Sequence, residues 1–392
     1  MKNTIYLDNN ATTAPLPSVN DAVRLAMESL WGNPSSIHRV GQEARHQVDI
    51  ARESVAKLIN CLPSEITFTS GGTEAANLAI QTACKANSDR RLIVTSQIEH
   101  PAVGEVLDIL GEDQYEVIRL ENCNNGIVCL EQLENILKER AEEVAVVSIM
   151  WCNNETGVIE PIEEIVSLCH ASDVLVHSDG TQWVAKMPVD IKEVPVDMLT
   201  FAAHKFHGPK GVGALYSKQG LLVVPLVTGG PQERGRRGGT ENVPAILGFG
   251  VAAQEAIDWL TVDNIKQMEE LRDQFESTLR LKVPTVHINS SGAPRAWTTS
   301  SISFPSLKGE LLLLMLSERG VCASSGSACS SGALKESKVI EAIGAPDDGE
   351  WGTVRFSFAR TTIKQELDNA IEAVCASLAT ITEVLETSAT SS

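Results

Sequence analysis

The sequence predicts an α/β protein: a mainly parallel sheet with helices on both faces, followed by a smaller α+β domain. Three observations carry this. Strand-like runs rich in Val, Ile and Leu alternate with helical patterns through the first half, the alternation that builds parallel sheets with ligands beyond the carboxyl ends of the strands. A glycine turn, Gly71-Gly72, joins one such run to a helical pattern. The 392 residues exceed what one core normally holds, so two domains are expected.

In order, Tyr6-Leu7-Asp8-Asn9-Asn10-Ala11-Thr12-Thr13 reads as an extended arm entering a turn, and Gly32-Asn33-Pro34-Ser35-Ser36 as a polar loop. Apolar residues at Ala44, Val48, Ala51, Val55, Leu58 and Ile59 fall on one face of an amphipathic helix. Strands are predicted at Leu92–Thr95, Glu116–Leu120, Val144–Met150, Val174–His177, Met198–Ala202 and Gly211–Ser217. Helices are predicted around Leu130–Arg140 and Ile162–His170, from Pro244 through Trp259, and at Ile265–Leu281. The remainder alternates on a smaller scale: strands at Ser301–Phe304 and Val354–Phe358, a helix at Gly309–Arg319, and a last helix with Leu367, Ile371, Val374, Leu378 and Ile381 on one face. The tail from Thr387 is expected to be disordered.

The balance of 32 basic against 51 acidic residues, a net charge of -19, repels nucleic acid and anionic membrane surfaces and favours small molecules or protein partners. Nine cysteines, an odd number with no C-x-x-C pair, suit a reducing cytoplasm and free thiols rather than disulfides or a zinc site. The beginning of the chain lacks a signal-peptide pattern, and no apolar run reaches the length of a membrane helix. A cytoplasmic location is expected.

Four stretches can carry chemistry. Gly71-Gly72-Thr73 is either an ordinary strand-to-helix turn capped by Thr73, or a cradle whose free N–H groups and helix dipole favour a phosphate. His204-Lys205, after an apolar run and before Gly208-Pro209, is a solvated loop or the seat of a lysine made nucleophilic by burial. Gly229–Asn242 mixes glycines and arginines, so it is a solvated basic loop or a set of donors for an anion. Cys322–Gly332 consists of small residues around Cys329, which is an incidental small residue or a thiol meant to travel.

Taken together, the Gly-Gly-Thr turn, Asp179 at a strand end, Gln182 three residues on and the later His204-Lys205 pair resemble a fold-type-I pyridoxal-phosphate enzyme. More closely, the chain resembles the cysteine desulfurases of the nitrogenase and iron–sulfur-cluster type, in the class-V aminotransferase family. The opening arm, Gly32–Ser36, Asn153-Asn154-Glu155-Thr156-Gly157, Gly208–Gly211, Gly239-Thr240-Glu241-Asn242 and Ser324–Cys329 carry that resemblance across the whole chain.

The resemblance implies a large cofactor domain with a mainly parallel seven-stranded sheet over residues 15–258, and a small domain from 1–14 and 259–392 that carries the catalytic cysteine loop. It implies that Lys205 holds pyridoxal 5'-phosphate covalently and moves the substrate Cα proton. Asp179 faces the ring nitrogen, His100 stacks on the ring and serves in acid/base steps, and Gln182 and Asn154 lie at the ring hydroxyl edge. Gly72, Thr73 and His204 bind the phosphate, joined by Thr240 from the second subunit of a homodimer. Arg355 holds the carboxylate of L-cysteine, helped by Asn33 and Asn154. Cys329 takes the sulfur as a persulfide, with L-alanine as the other product, and passes it to an acceptor such as an iron–sulfur scaffold protein. No metal is implied. A selenocysteine lyase or a catalytically silent subunit of a sulfur-transfer complex are the competing readings, and an ordinary aminotransferase is a third.

The chain departs from the family pattern at three positions. Ala202 stands where many relatives have a phosphate-binding Ser, Gly180 where they have an Ala that packs on the ring, and Trp183 where a small residue is usual.

Overall fold

The computed structural model describes residues 4–123, 125–325, 337–344 and 351–390. The chain runs through β1 (Ile5–Tyr6), α1 (Pro17–Ser29), α2 (Arg39–Leu58), β2 (Ile66–Thr69), α3 (Gly72–Ala86), β3 (Leu92–Ser96), α4 (Pro101–Asp113), β4 (Glu116–Leu120), α5 (Leu130–Arg140) and β5 (Val144–Ser148). It continues through α6 (Ile162–Ala171), β6 (Val176–Asp179), β7 (Met198–Ala202), β8 (Gly213–Ser217), α7 (Val243–Trp259) and α8 (Val262–Lys282). The last part holds β9 (His287–Ile288), β10 (Thr299–Pro305), α9 (Gly309–Glu318), β11 (Val321–Cys322), α10 (Lys338–Ala342), β12 (Trp351–Ser357) and α11 (Lys364–Thr390).

Among the described residues, seven strands form the main sheet in the order β2-β8-β7-β6-β5-β3-β4. All neighbours are parallel except at β8, which runs antiparallel to both β7 and β2. Strands β2, β3 and β5 to β8 are buried at every residue because both faces of the sheet are covered there. Period-two alternation sends Leu92, Val94, Leu199 and Phe201 to the core shared with α2, α6 and α7, and Ile93, Met198 and Leu215 to the core under α3 and α4; in β5 a register shift after Val144 puts Val144 and Val147 in the first core and Val146 in the second. A three-stranded antiparallel sheet, β12-β10-β9, packs with α8, α9 and α11 around a further core that also takes Leu7 from the N-terminal arm.

The five-residue α10 escaped the sequence reading, as did two longer helices, α1 and α4. The longer two each open on a proline at the first position, Pro17 and Pro101, where the missing N–H is harmless. Pro101 is preceded by the capping residue His100, whose Nδ1 accepts from the Ala102 N–H at 3.1 Å. At the other end, α11 extends to Thr390, past the point where composition predicts disorder. No single helix among the described residues is long and apolar enough to cross a membrane.

Candidate active site

The carboxyl ends of β2, β3, β5, β6 and β7 open on one side of the main sheet, and a cavity of about 250 Å³ lies there. Its lining includes Gly72, Thr73, His100, Asn154, Asp179, Gln182, His204, Lys205 and Arg355, together with Asn10, Thr181 and Ala202. Residues as far apart in sequence as Asn10 and Arg355 therefore converge on one space, where the arm and β12 of the smaller sheet meet the ends of the main-sheet strands.

Lys205 closes a 3₁₀ turn, Ala203–Lys205, that follows β7 directly. Its Nζ donates to the carbonyl oxygens of Asn10 at 2.7 Å and Ala11 at 3.0 Å, so the arm and the lysine fix one another. Asp179 ends β6 and is buried, with Oδ1 accepting from the Thr181 N–H at 2.9 Å. His100 caps α4 through Nδ1, which leaves Nε2 to carry the ring proton. Burial pushes its pKa down, partly offset by the Asp179 carboxylate and reinforced by the cations of Lys205 and Arg355. Taking up a second proton would also break the cap. His204 is held low, to about 4, by burial first and then by Lys205, Lys210 and Lys186, so it meets an anion as a neutral donor.

α3 begins at Gly72, and the first N–H groups of a helix have no partner within it. A Cβ on Gly72 would sit 3.4 Å from Thr181 Oγ1 and 3.6 Å from the Ala202 Cβ, so the glycine keeps that corner open. Thr181, which the sequence reading passed over, brings a hydroxyl to the corner where Ala202 offers only a methyl.

The guanidinium of Arg355 is almost fully buried on β12. It donates through one terminal nitrogen to the Asn154 carbonyl oxygen at 3.0 Å and through the other to Asp8 Oδ1 at 2.8 Å. Its Nε is buried with no partner among the described residues, an orphaned donor suited to a carboxylate. Backbone bonds in both directions tie Arg355 to Ser324 at 2.7 and 3.2 Å, so the strand that carries the arginine also anchors the start of the cysteine loop. Cys329 itself lies outside the described residues. Cys322 is half-buried: among the described residues its strand, β11, pairs only with the two-residue β1.

Two sequence candidates do not reach the cavity of their own chain. Asn33 is exposed, its side-chain oxygen accepting from the Ser35 N–H at 2.8 Å, and Thr240 is exposed beyond the glycine–arginine loop. The arm held the residue most completely missed, Asn10. Its carbonyl accepts from Lys205 and from Gln182 Nε2 at 3.0 Å, its Nδ2 donates to the Asn154 carbonyl at 3.0 Å and to Thr299 Oγ1 at 2.7 Å, and its N–H donates to Ser357 Oγ at 2.9 Å. The signal was two adjacent asparagines in an otherwise extended arm, with no chemistry of their own.

The donor set fits pyridoxal phosphate: an amine, a buried carboxylate, a helix N-terminus with neutral donors for an anion, and a second cation for a carboxylate share one cavity. Comparison with known proteins agrees. Residues 5–370 match the model of the aminotransferase class-V family. The cysteine desulfurase of Nostoc sp. is 44% identical over 369 residues, covering 94% of this chain and 91% of that protein. The cysteine desulfurase NifS of Azotobacter vinelandii is 42% identical over 371 residues, with 94% and 91% covered. A solved NIFS-like protein superposes with a TM-score of 0.89 at 35% identity, covering 96% of this chain and 100% of that one. With the model matched over nearly its full length and close relatives of one name, the chain belongs to the class-V aminotransferase family, among its cysteine desulfurases of the NifS type.

Proposed function

We propose that the protein is a pyridoxal-phosphate-dependent cysteine desulfurase, taking sulfur from L-cysteine, releasing L-alanine and passing the sulfur to an acceptor protein of iron–sulfur-cluster or related assembly. The observation that carries this is the convergence of Lys205, Asp179, His100, His204, Gln182 and Arg355 on one cavity at the strand ends. Bound there, pyridoxal phosphate supplies an electron sink for the charge that develops on the substrate Cα.

The chain's residues do the rest. Gly72, Thr73 and neutral His204 hold the phosphate, and the amine of Lys205 holds the aldehyde carbon and moves the Cα proton. Asp179 offers its buried carboxylate to the ring nitrogen, while Gln182 and Asn154 take the hydroxyl edge and His100 the ring face. Arg355 grips the substrate carboxylate with its fork of donors, fixing which Cα bond points at Lys205. The Cys329 thiolate then attacks the substrate sulfur: an S–S bond forms, the carbon–sulfur bond breaks with its electron pair going to the substrate carbon, and a proton taken up there yields alanine. Cys329 keeps the sulfur as a persulfide.

The exposed Thr240 supports a homodimer in which each copy lends this residue to the other's phosphate site. Asn33, also outside its own chain's cavity, is proposed to assist the substrate from the cavity rim.

The test is the absorbance of purified protein before and after L-cysteine, with alanine and sulfide assayed for wild type and Cys329→Ala. A cofactor band that shifts with cysteine, and products formed only when Cys329 is present, is the expected result. A protein that stays colourless and inert after added pyridoxal phosphate would overturn the reading. Products that form undiminished in Cys329→Ala would assign the sulfur step elsewhere.

A further inference from the structure

We infer that Lys186 is a positioning residue for the cofactor, acting through Gln182 and Asn10. The inference rests on the reading that the large cavity takes pyridoxal phosphate. Lys186 does not line that cavity; with Lys205 it borders a separate space of about 20 Å³ on the far side of the arm. Its side chain is buried, and its Nζ donates to Gln182 Oε1 and, at 3.3 Å, to Asn10 Oδ1.

A lysine ammonium can only donate, and both contacts are to amide oxygens. This removes the ambiguity that a carboxamide normally carries about which end points where. With Oε1 of Gln182 held on Lys186, Nε2 is the end left facing the arm and the cavity, where it now donates to the Asn10 carbonyl at 3.0 Å. With Oδ1 of Asn10 held likewise, Nδ2 is turned to the Asn154 carbonyl and Thr299. Lys186 thus sets the donor and acceptor pattern along the edge proposed for the ring hydroxyl, from behind and without touching the ligand.

The arrangement depends on charge. Burial, helped by the neighbouring Lys205, pushes Lys186 down to about 7. A neutral amine has a lone pair that can accept from a carboxamide N–H, so it is the ammonium form, with its donors on the two amide oxygens, that fixes both side chains.

The experiment titrates apoprotein with pyridoxal 5'-phosphate and records both affinity and the absorbance maximum of the bound form. It compares wild type, Lys186→Met, Gln182→Ala, the double variant and Gln182→Glu. Lys186→Met is expected to bind roughly tenfold more weakly, the size of one misplaced buried hydrogen bond, and to shift the absorbance maximum. In the Gln182→Ala background the same substitution should have a smaller effect, the part that passes through Asn10. Gln182→Glu keeps the contact with Lys186 but has no donor to present, so it should bind as weakly as Gln182→Ala even if Lys186→Met does not fold.

A Lys186→Met variant that lowers only the urea midpoint, with affinity and absorbance maximum as in wild type, would show a purely structural lysine and overturn the inference. So would an effect of undiminished size in the Gln182→Ala background, or wild-type binding by Gln182→Glu. Failure of the wild type itself to take up the cofactor would bring down the proposed function with it, whereas normal uptake by wild type and variants alike would bring down this inference alone.

Discussion

Single residues explain why the chain departs from its family's pattern. Gly180 is required by its neighbours: a Cβ there would come within 2.7 Å of Leu199 Cδ1 and 3.1 Å of Val184 Cγ2. Leu199 has taken the space an alanine would need. Trp183 stacks on Trp151 with ring centroids 5.7 Å apart and planes within 7°, so a large ring is accommodated by a second large ring. Ala202 has a simpler consequence. Ala202→Ser adds a hydroxyl at the anion corner beside Thr181, and cofactor titration should show affinity rising by about tenfold, as for one hydrogen bond to a charged group at the low end of its range. Unchanged affinity would mean that Thr181 already satisfies that corner.

Glu160 is a residue-scale liability of another kind. Its Oε2 accepts from the Val128 N–H at 2.9 Å, but Oε1 is buried with no partner among the described residues, and burial pushes the carboxyl up to about 8. A carboxyl raised in the folded state contributes stability that is whole below the ordinary Glu range and is lost as pH climbs to about 8. Through that window the loss is about 1.4 kcal/mol per pH unit at most. Glu160→Gln is neutral throughout, so its urea midpoint relative to wild type should rise between pH 5 and pH 8. A difference that stays flat would show that Glu160 is already ionised in the folded protein.

At the scale of elements, the glycine–arginine loop has a buried anchor. Glu233 and Arg234 are both left-handed, with φ of 47° and 58°, which neither side chain favours on its own. What holds them is a two-pronged ion pair from Arg52 on α2 to Glu233, at 2.7 and 2.8 Å, with the Phe68 N–H donating to the same carboxylate at 2.9 Å. The Arg52 guanidinium also lies over the Phe68 ring, 4.6 Å from its centroid. Glu233→Ala leaves a buried guanidinium unpaired and should cost about 3–5 kcal/mol in urea unfolding. A loss under about 1 kcal/mol would mean that water reaches Arg52. Sequence reading left this loop open between a solvated basic segment and an anion site. Its three arginines were visible, but the glutamate that turns the loop back onto the sheet was not, because the partner that makes Glu233 meaningful stands 181 residues away.

Over the whole molecule, what was legible in sequence was what repeats locally. The strands of the main sheet and most helices follow from apolar spacing, and the residues proposed to contact the cofactor follow from motifs at strand ends. The antiparallel turn of β8 was not legible, since a strand buried on both faces reads the same in either direction. Nor were Asn10, whose role consists of long-range hydrogen bonds, and Lys186, which joins Asn10 across 176 positions to Gln182 only four residues away. Asp8 and Asn10 lie in a segment with almost no apolar pattern, yet the arm contributes Leu7 to the second core, pairs β1 with β11 and meets Ser357, Lys205 and Arg355.

That arm imposes an order on the life of the molecule. Asn10 is synthesised 347 residues ahead of Ser357, which accepts its donation. Lys205 is finished and exposed to the cell well before the strand bearing Arg355 exists to hold the arm across it. The arm's full set of contacts, from Lys205 to Ser357 and Arg355, is therefore completed only after the strand that carries Ser357 and Arg355 has been made.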